Sequence, residues 1–158
     1  MLIFHTVSYR KRRLSDLEYQ KKWIKQKLEL IKKHDLDGLN LHFDDEIEKD
    51  ASDVKLLNNL VKNLASNLKQ QFPNSRLSFD APWASVNAIG TAVDKRNYDY
   101  LSIYDAVDHF IVFSFHVSSQ QFIGNEYQDD QCFAHPTSGV YKSAGGIISW
   151  IHYGQFNH

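Results

Sequence analysis

Apolar and polar residues alternate one by one along Asp37-Gly-Leu-Asn-Leu-His-Phe-Asp44, where Leu39, Leu41 and Phe43 interleave with Asn40, His42 and Asp44. That period of two predicts a β-strand with one apolar and one polar face. Upstream, Leu2 to Val7 reads as a short buried strand interrupted by His5 and Thr6. Between the two strands the period changes. Leu17, Trp23, Ile24, Leu28 and Ile31 recur at near-helical spacing with Lys and Glu opposite, and Ser15 can cap a helix that runs to about Lys33. Two strands joined by a helix make a β-α-β unit with parallel strands and a right-handed crossover.

The same grammar continues. The acidic segment from Asp44 to Asp53 forms a loop at the C-terminal end of the Asp37 strand. A second helix follows from about Asp53 to Gln70, with Leu57, Val61, Leu64 and Leu68 as its stripe and Pro73-Asn74 as its stop. Arg76 to Ala81 is a third strand, ending at Pro82-Trp83. A loop or short helix carrying Tyr98, Tyr100 and Tyr104 leads to a fourth strand, His109 to Phe115. Four strands alternating with helical connections predict an α/β fold, a parallel sheet with flanking helices. Beyond His116 the periodicity fades, and no internal repeat or low-complexity linker stands out.

A length of 158 residues with 42% hydrophobic content suits one domain with a sizeable core. The formal net charge of −1 gives no case for a nucleic-acid partner or an acidic membrane surface. The basic run Arg10-Lys-Arg-Arg13 reads as a solvated approach to the helix rather than a phosphate site. Cys132 is the single cysteine, so no intrachain disulfide forms and a metal site would need other ligands. No apolar run approaches the roughly 20 residues of a membrane span. Met1 to Phe4 is too short for a signal-peptide core, so this stretch of chain carries no recognisable secretion signal.

A polar strand face is costly to bury unless something pairs it. Inside α/β barrels such a strand packs one face on helices and lines a site at its C-terminal end with the other. Alternation alone leaves a solvated edge strand as the other reading. His42, Asp44 and His116 would also lie together at the strand ends, and histidine with carboxylate suits Zn²⁺. Trp23 sits on the helical stripe and reads as core, whereas Trp83, after a proline at a strand end, suits either a site wall or packing. The other histidines carry no spacing signal.

The order of these segments resembles glycoside hydrolase family 18, its chitobiase branch most of all. The family's strand motif is Asp-x-x-Asp-x-Asp-x-Glu, with Asn as the second acid in chitobiases, and Asp37-Gly-Leu-Asn40-Leu-His42-Phe-Asp44 lies in the same register. Trp23 to Leu28 is similar to the helix that leads into the motif. Ser78-Phe-Asp-Ala-Pro-Trp83 resembles the next strand, and Phe113-Ser-Phe115-His116 sits where the family has Met-x-Tyr-Asp. The resemblance implies part of an eight-stranded (β/α) barrel, with residues 1–145 as a partial catalytic domain and 146–158 as an irregular tail. A whole barrel takes about 250 residues, and a partial one exposes sheet edges that favour self-association.

The resemblance also implies a chemistry. Family 18 enzymes cleave β-1,4-linked N-acetylglucosamine by substrate-assisted catalysis, the sugar's own acetamido oxygen attacking the anomeric carbon. Asp37, Asn40, His42 and Asp44 then hold the catalytic positions, and Asp80, Trp83, Phe115 and His116 the substrate-binding ones. No cofactor is implied, the partner is an N-acetylglucosamine oligosaccharide, and the location is lysosomal or extracellular. Several of these positions depart from the family. Asp44 replaces the general-acid Glu and retracts the carboxyl by roughly an ångström, a misplacement that can lose about 10²-fold in rate. His42 replaces the Asp that orients the acetamido group, and Phe115 lacks the hydroxyl of the family's Tyr. The expectation is a weakly active or inactive hydrolase. The alternatives are a carbohydrate-binding pseudoenzyme, a truncated gene product, or a His/Asp metal-binding protein.

Overall fold

The computed structural model describes residues 3–48, 51–82 and 96–113. Its first long helix, α1 (Leu17–His34), is capped by Asp16 rather than Ser15: the Asp16 carboxylate accepts the Tyr19 N–H at 2.9 Å. Ser15 stands one residue too early for that bond. Asp35 closes the helix in the left-handed region (φ 49°, ψ 52°) and donates its N–H to the Ile31 carbonyl. Aspartate is among the few non-glycine residues that adopt this conformation readily. Trp23, Ile24, Leu28 and Ile31 are buried as their spacing predicts. Leu17 is not. It lies at the mouth of the groove between α1 and the second long helix, beside Asn67 and Gln71, and remains 61% exposed. Gln20 is buried in its stead, satisfied by donating to the Leu14 carbonyl.

Four strands form one parallel sheet in chain order: β1 (Phe4–Ser8), β2 (Gly38–His42), β3 (Arg76–Pro82) and β4 (His109–Phe113). Helix α1 joins β1 to β2, and α2 (Ser52–Gln71) joins β2 to β3. The short α3 (Tyr100–Tyr104) precedes β4. The alternation read from the sequence is realised in β2 and β3, because Leu39, Leu41, Leu77, Phe79 and Ala81 are buried in one core with the stripes of α1 and α2. Leu57, Leu60, Val61, Leu64 and Leu68 supply the α2 side. This is a parallel sheet with flanking helices, as the pattern predicts. Strands β1 and β4 are its edges among the described residues.

Several boundaries move. Strand β2 stops at His42 instead of Asp44, since the chain beyond it is held by the loops described below. Of the three tyrosines before β4, Tyr98 and Tyr100 are buried in the core, at 5% and 4% exposure, and only Tyr104 faces solvent. The ring of Tyr98 packs edge-on against Phe43 and Phe79. The end of the fourth expected strand and the boundary at residue 145 lie outside the described residues.

Gly38 opens β2 because no side chain fits there. A Cβ would meet the Arg76 carbonyl oxygen and the Phe4 ring at 2.7 Å, and the first of these is immovable backbone. Phe4 is thereby free to reach from β1 over Gly38 to the ring of His109 on β4, 6.1 Å between centroids. Those contacts close the N-terminal end of the polar face.

Candidate functional site

Asn40 and His42 follow each other on the polar face of β2, opposite Leu39 and Leu41. Register brings Thr6 and Ser78 level with Asn40, and the next step along β3 sets Asp80 beside His42. The side chains form a connected network. Asn40 Nδ2 donates to Asp80 Oδ1 at 2.7 Å and lies 3.4 Å from Thr6 Oγ1. Ser78 Oγ donates to Asn40 Oδ1 at 2.9 Å, and His42 Nδ1 is 2.8 Å from Asp80 Oδ2. Asp80 is 4% exposed and is the one buried carboxylate among the described residues. A buried charge is tolerated only when paired and hydrogen-bonded. Each Asp80 oxygen has such a partner, and His42, at 37% side-chain exposure, connects the pair to the surface.

The other acidic residues of the motif and of the loop after it are placed differently. Asp44 lies past the strand end, half exposed, and its carboxylate is bound by Arg96 Nη1 at 2.5 Å. Asp45 turns the opposite way, accepting the Lys11 N–H at 2.6 Å and pairing with Arg10. The loop between them is clamped from outside: Tyr98 donates its hydroxyl to the Asp45 carbonyl at 2.7 Å, and Asn97 donates twice to the Ile47 carbonyl. Glu46 is exposed and lines a surface hollow with Arg10, Lys11 and Arg12, on the side of the basic turn. Asp37 is at the other end of the sheet, where its carboxylate accepts the Ile3 N–H at 2.7 Å. The structure therefore joins Asn40, His42 and Asp80 and leaves Asp37 and Asp44 apart from them. Trp83, Phe115 and His116 lie outside the described residues. No group of three or more metal-binding side chains occurs among the described residues, and Asp44 and His42 are committed to separate partners.

Thr6, Ser78 and Arg96 are not among the site residues that the sequence predicts. The alternation of Ser78 and Asp80 with Leu77, Phe79 and Ala81 repeats that of β2 and is the signal that would have found Ser78. Arg96 has no such signal, being 52 residues from the carboxylate it binds.

Chemically, the network offers a fixed imidazole backed by a buried carboxylate at the C-terminal end of β2. In parallel α/β sheets and barrels, that is the end where ligands bind.

No protein-family model matches the chain. It is 27% identical over 139 residues to mouse (Mus musculus) di-N-acetylchitobiase, a match covering 88% of this chain and 35% of that protein. It is 31% identical over 105 residues to the human (Homo sapiens) di-N-acetylchitobiase, covering 66% and 26% respectively. The chain thus spans about a quarter to a third of the length of these curated relatives. In fold it is similar to YKL-39, solved in the presence of chitooligosaccharides (GlcNAc4), with a TM-score of 0.61 at 15% identity over 99% of this chain and 45% of that one. Solved chitinases share the fold as well. By sequence and by its partial barrel, this chain is a di-N-acetylchitobiase-like relative of glycoside hydrolase family 18.

Proposed function

We propose that the chain binds N-acetylglucosamine oligosaccharides at the C-terminal end of its sheet and turns them over weakly or not at all. The ancestral reaction is hydrolysis of β-1,4-linked N-acetylglucosamine by substrate-assisted catalysis, which needs a proton donor at the leaving oxygen. The observation that carries the reading is the pairing of Asp44, in the general-acid position, with Arg96 beyond the strand end. Asp80 is no substitute, because both of its oxygens are already held within the sheet. Binding rests on what is left: polar groups of Asn40, His42 and Asp80 at the sheet end, with Trp83, Phe115 and His116 as contacts carried over from the resemblance. The binding unit on this reading extends over residues 1–145, and the location is lysosomal or secreted.

Two measurements on the intact chain test it. With chitobiose or chitotriose, Asp44→Ala should leave product formation at the background level of wild type. Turnover at ordinary enzyme rates that this substitution abolishes would refute the loss of activity. Calorimetry with N-acetylglucosamine tetramer should give a binding isotherm, and absence of heat on demonstrably folded protein would refute the binding.

A further inference from the structure

What position 42 can do depends on which ring nitrogen carries the hydrogen, and the bonds around Asp80 decide that. Ser78, fully buried, donates its hydroxyl to Asn40 Oδ1. Asp80 fixes which way that amide points, with Nδ2 toward Asp80 Oδ1, because the flipped amide would set two oxygens against each other. A carboxylate only accepts. Since the second Asp80 oxygen is 2.8 Å from His42 Nδ1, that nitrogen bears the hydrogen. In the neutral ring Nε2 is then an acceptor, because the bond made by one imidazole nitrogen sets the role of the other.

We infer that Asp80 is a positioning residue that holds His42 as its Nδ1–H tautomer, so that Nε2 accepts a hydrogen bond from a bound sugar, the acetamido N–H of N-acetylglucosamine foremost. The sugar in this inference rests on the proposed function, whereas the tautomer does not. The assignment changes the meaning of the substitution at position 42. A histidine alone brings no negative charge to a site where the family places an Asp. Here the Asp80 carboxyl group stands behind the ring instead, set back by the width of an imidazole and delivered from the neighbouring strand. Asp80 touches no ligand in this scheme; it acts through the ring.

Long-range ¹H–¹⁵N NMR of the imidazoles in the intact chain, in alkaline buffer and without sugar, reads the tautomer directly. His42→Gln identifies the His42 signals among the eight histidines. Wild type should show the protonated nitrogen at Nδ1. In Asp80→Asn, Asn40 Nδ2 demands the oxygen of the new amide, whose NH₂ then faces His42 Nδ1, and the hydrogen moves to Nε2. An Nε2–H ring in wild type, or an Nδ1–H ring in the folded variant, overturns the inference. Should the variant fail to fold, the wild-type spectrum still decides. Chitotriose added to wild type should shift the His42 Nε2 resonance, and Asp80→Asn should weaken its binding about tenfold or more. Calorimetric binding with that resonance unmoved overturns the role of Nε2 as acceptor. Absence of binding overturns the proposed function and leaves the tautomer result standing.

Discussion

Replacing Asp108 by Asn removes a charge that ties β3 to β4 at the end of the sheet remote from the candidate site. The Asp108 carboxylate accepts the Leu77 N–H and Arg76 Nη1, each at 2.8 Å, and Lys69 Nζ at 3.1 Å on both oxygens. Burial by itself pushes this carboxyl up. The Leu77 N–H, Arg76 and Lys69 outweigh it and bring the group from the ordinary 3.8 down to about 2. At about 1.4 kcal/mol per pH unit, that gap corresponds to about 2 kcal/mol. The Arg76 and Lys69 side chains are 55% and 40% exposed, so solvent screens their share. We expect Asp108→Asn to cost about 1–2 kcal/mol near neutrality. The folded value lies below the unfolded one. This stability is therefore complete above the ordinary 3.8 and disappears as pH falls through about 2. Urea unfolding of both proteins, stepped from neutral to acid, measures it. The difference between them should hold steady from neutrality to about pH 5 and narrow below about pH 4. A difference that persists unchanged to about pH 2, or none at neutrality, would refute the assignment of the shift to these contacts.

Two further substitutions probe the frame around the site. Gly38→Ala sets a methyl against the Arg76 carbonyl and the Phe4 ring. It should cost about 3 kcal/mol or more, read as a lowered unfolding midpoint, and a midpoint within error of wild type would refute the close approach. Tyr9 donates its hydroxyl to the Arg13 carbonyl at 2.9 Å, so Tyr9→Phe should cost about 1 kcal/mol at neutral pH. Burial, then Tyr19 and Asp16, push the Tyr9 phenol from 10.0 up to about 12 against the pull of Arg13. Its contribution is complete below the ordinary 10.0 and fades as pH rises through about 12. Phenolate absorbance of wild type and variant should coincide until about pH 11, and a tyrosine titrating near 10 that the variant lacks would contradict this.

The order of elements was legible because each has a period of its own. The stripes of α1 and α2 and the alternation of β2 and β3 all report burial directly, and burial is what the core rewards. Errors cluster where a residue's neighbour is far away in sequence. Leu17 has the right spacing for the core but faces Asn67 and Gln71 across a groove, so period alone misassigns it. Tyr98 and Tyr100 belong to no period, and their burial depends on Phe43 and Phe79. The site shows the same division. That Asn40 and His42 share a face is a property of one strand. That Asp80 joins them is a property of register, 38 residues on from His42.

The placement of Asp37 and Asp44 follows from strand geometry. Seven residues at a rise of about 3.3 Å span on the order of 23 Å, close to the full height of a sheet. A motif written along one strand cannot bring its first and last side chains to one sugar ring. Asp37 also has the parity of Leu39 and Leu41, on the helix side. There its carboxylate and its backbone N–H both bond the backbone of Ile3, where β1 begins. At the other end, Asp44 has the parity of Asn40 and His42, yet β2 has already ended, and its direction is set by Arg96. Only the middle of the motif stays inside the sheet, where neighbouring strands lie about 4.8 Å apart and side chains two residues apart stand on one face. Side chains that meet at one point must therefore come from adjacent strands, here β2 and β3. That is why the side chain behind His42 comes from Asp80, outside the motif altogether.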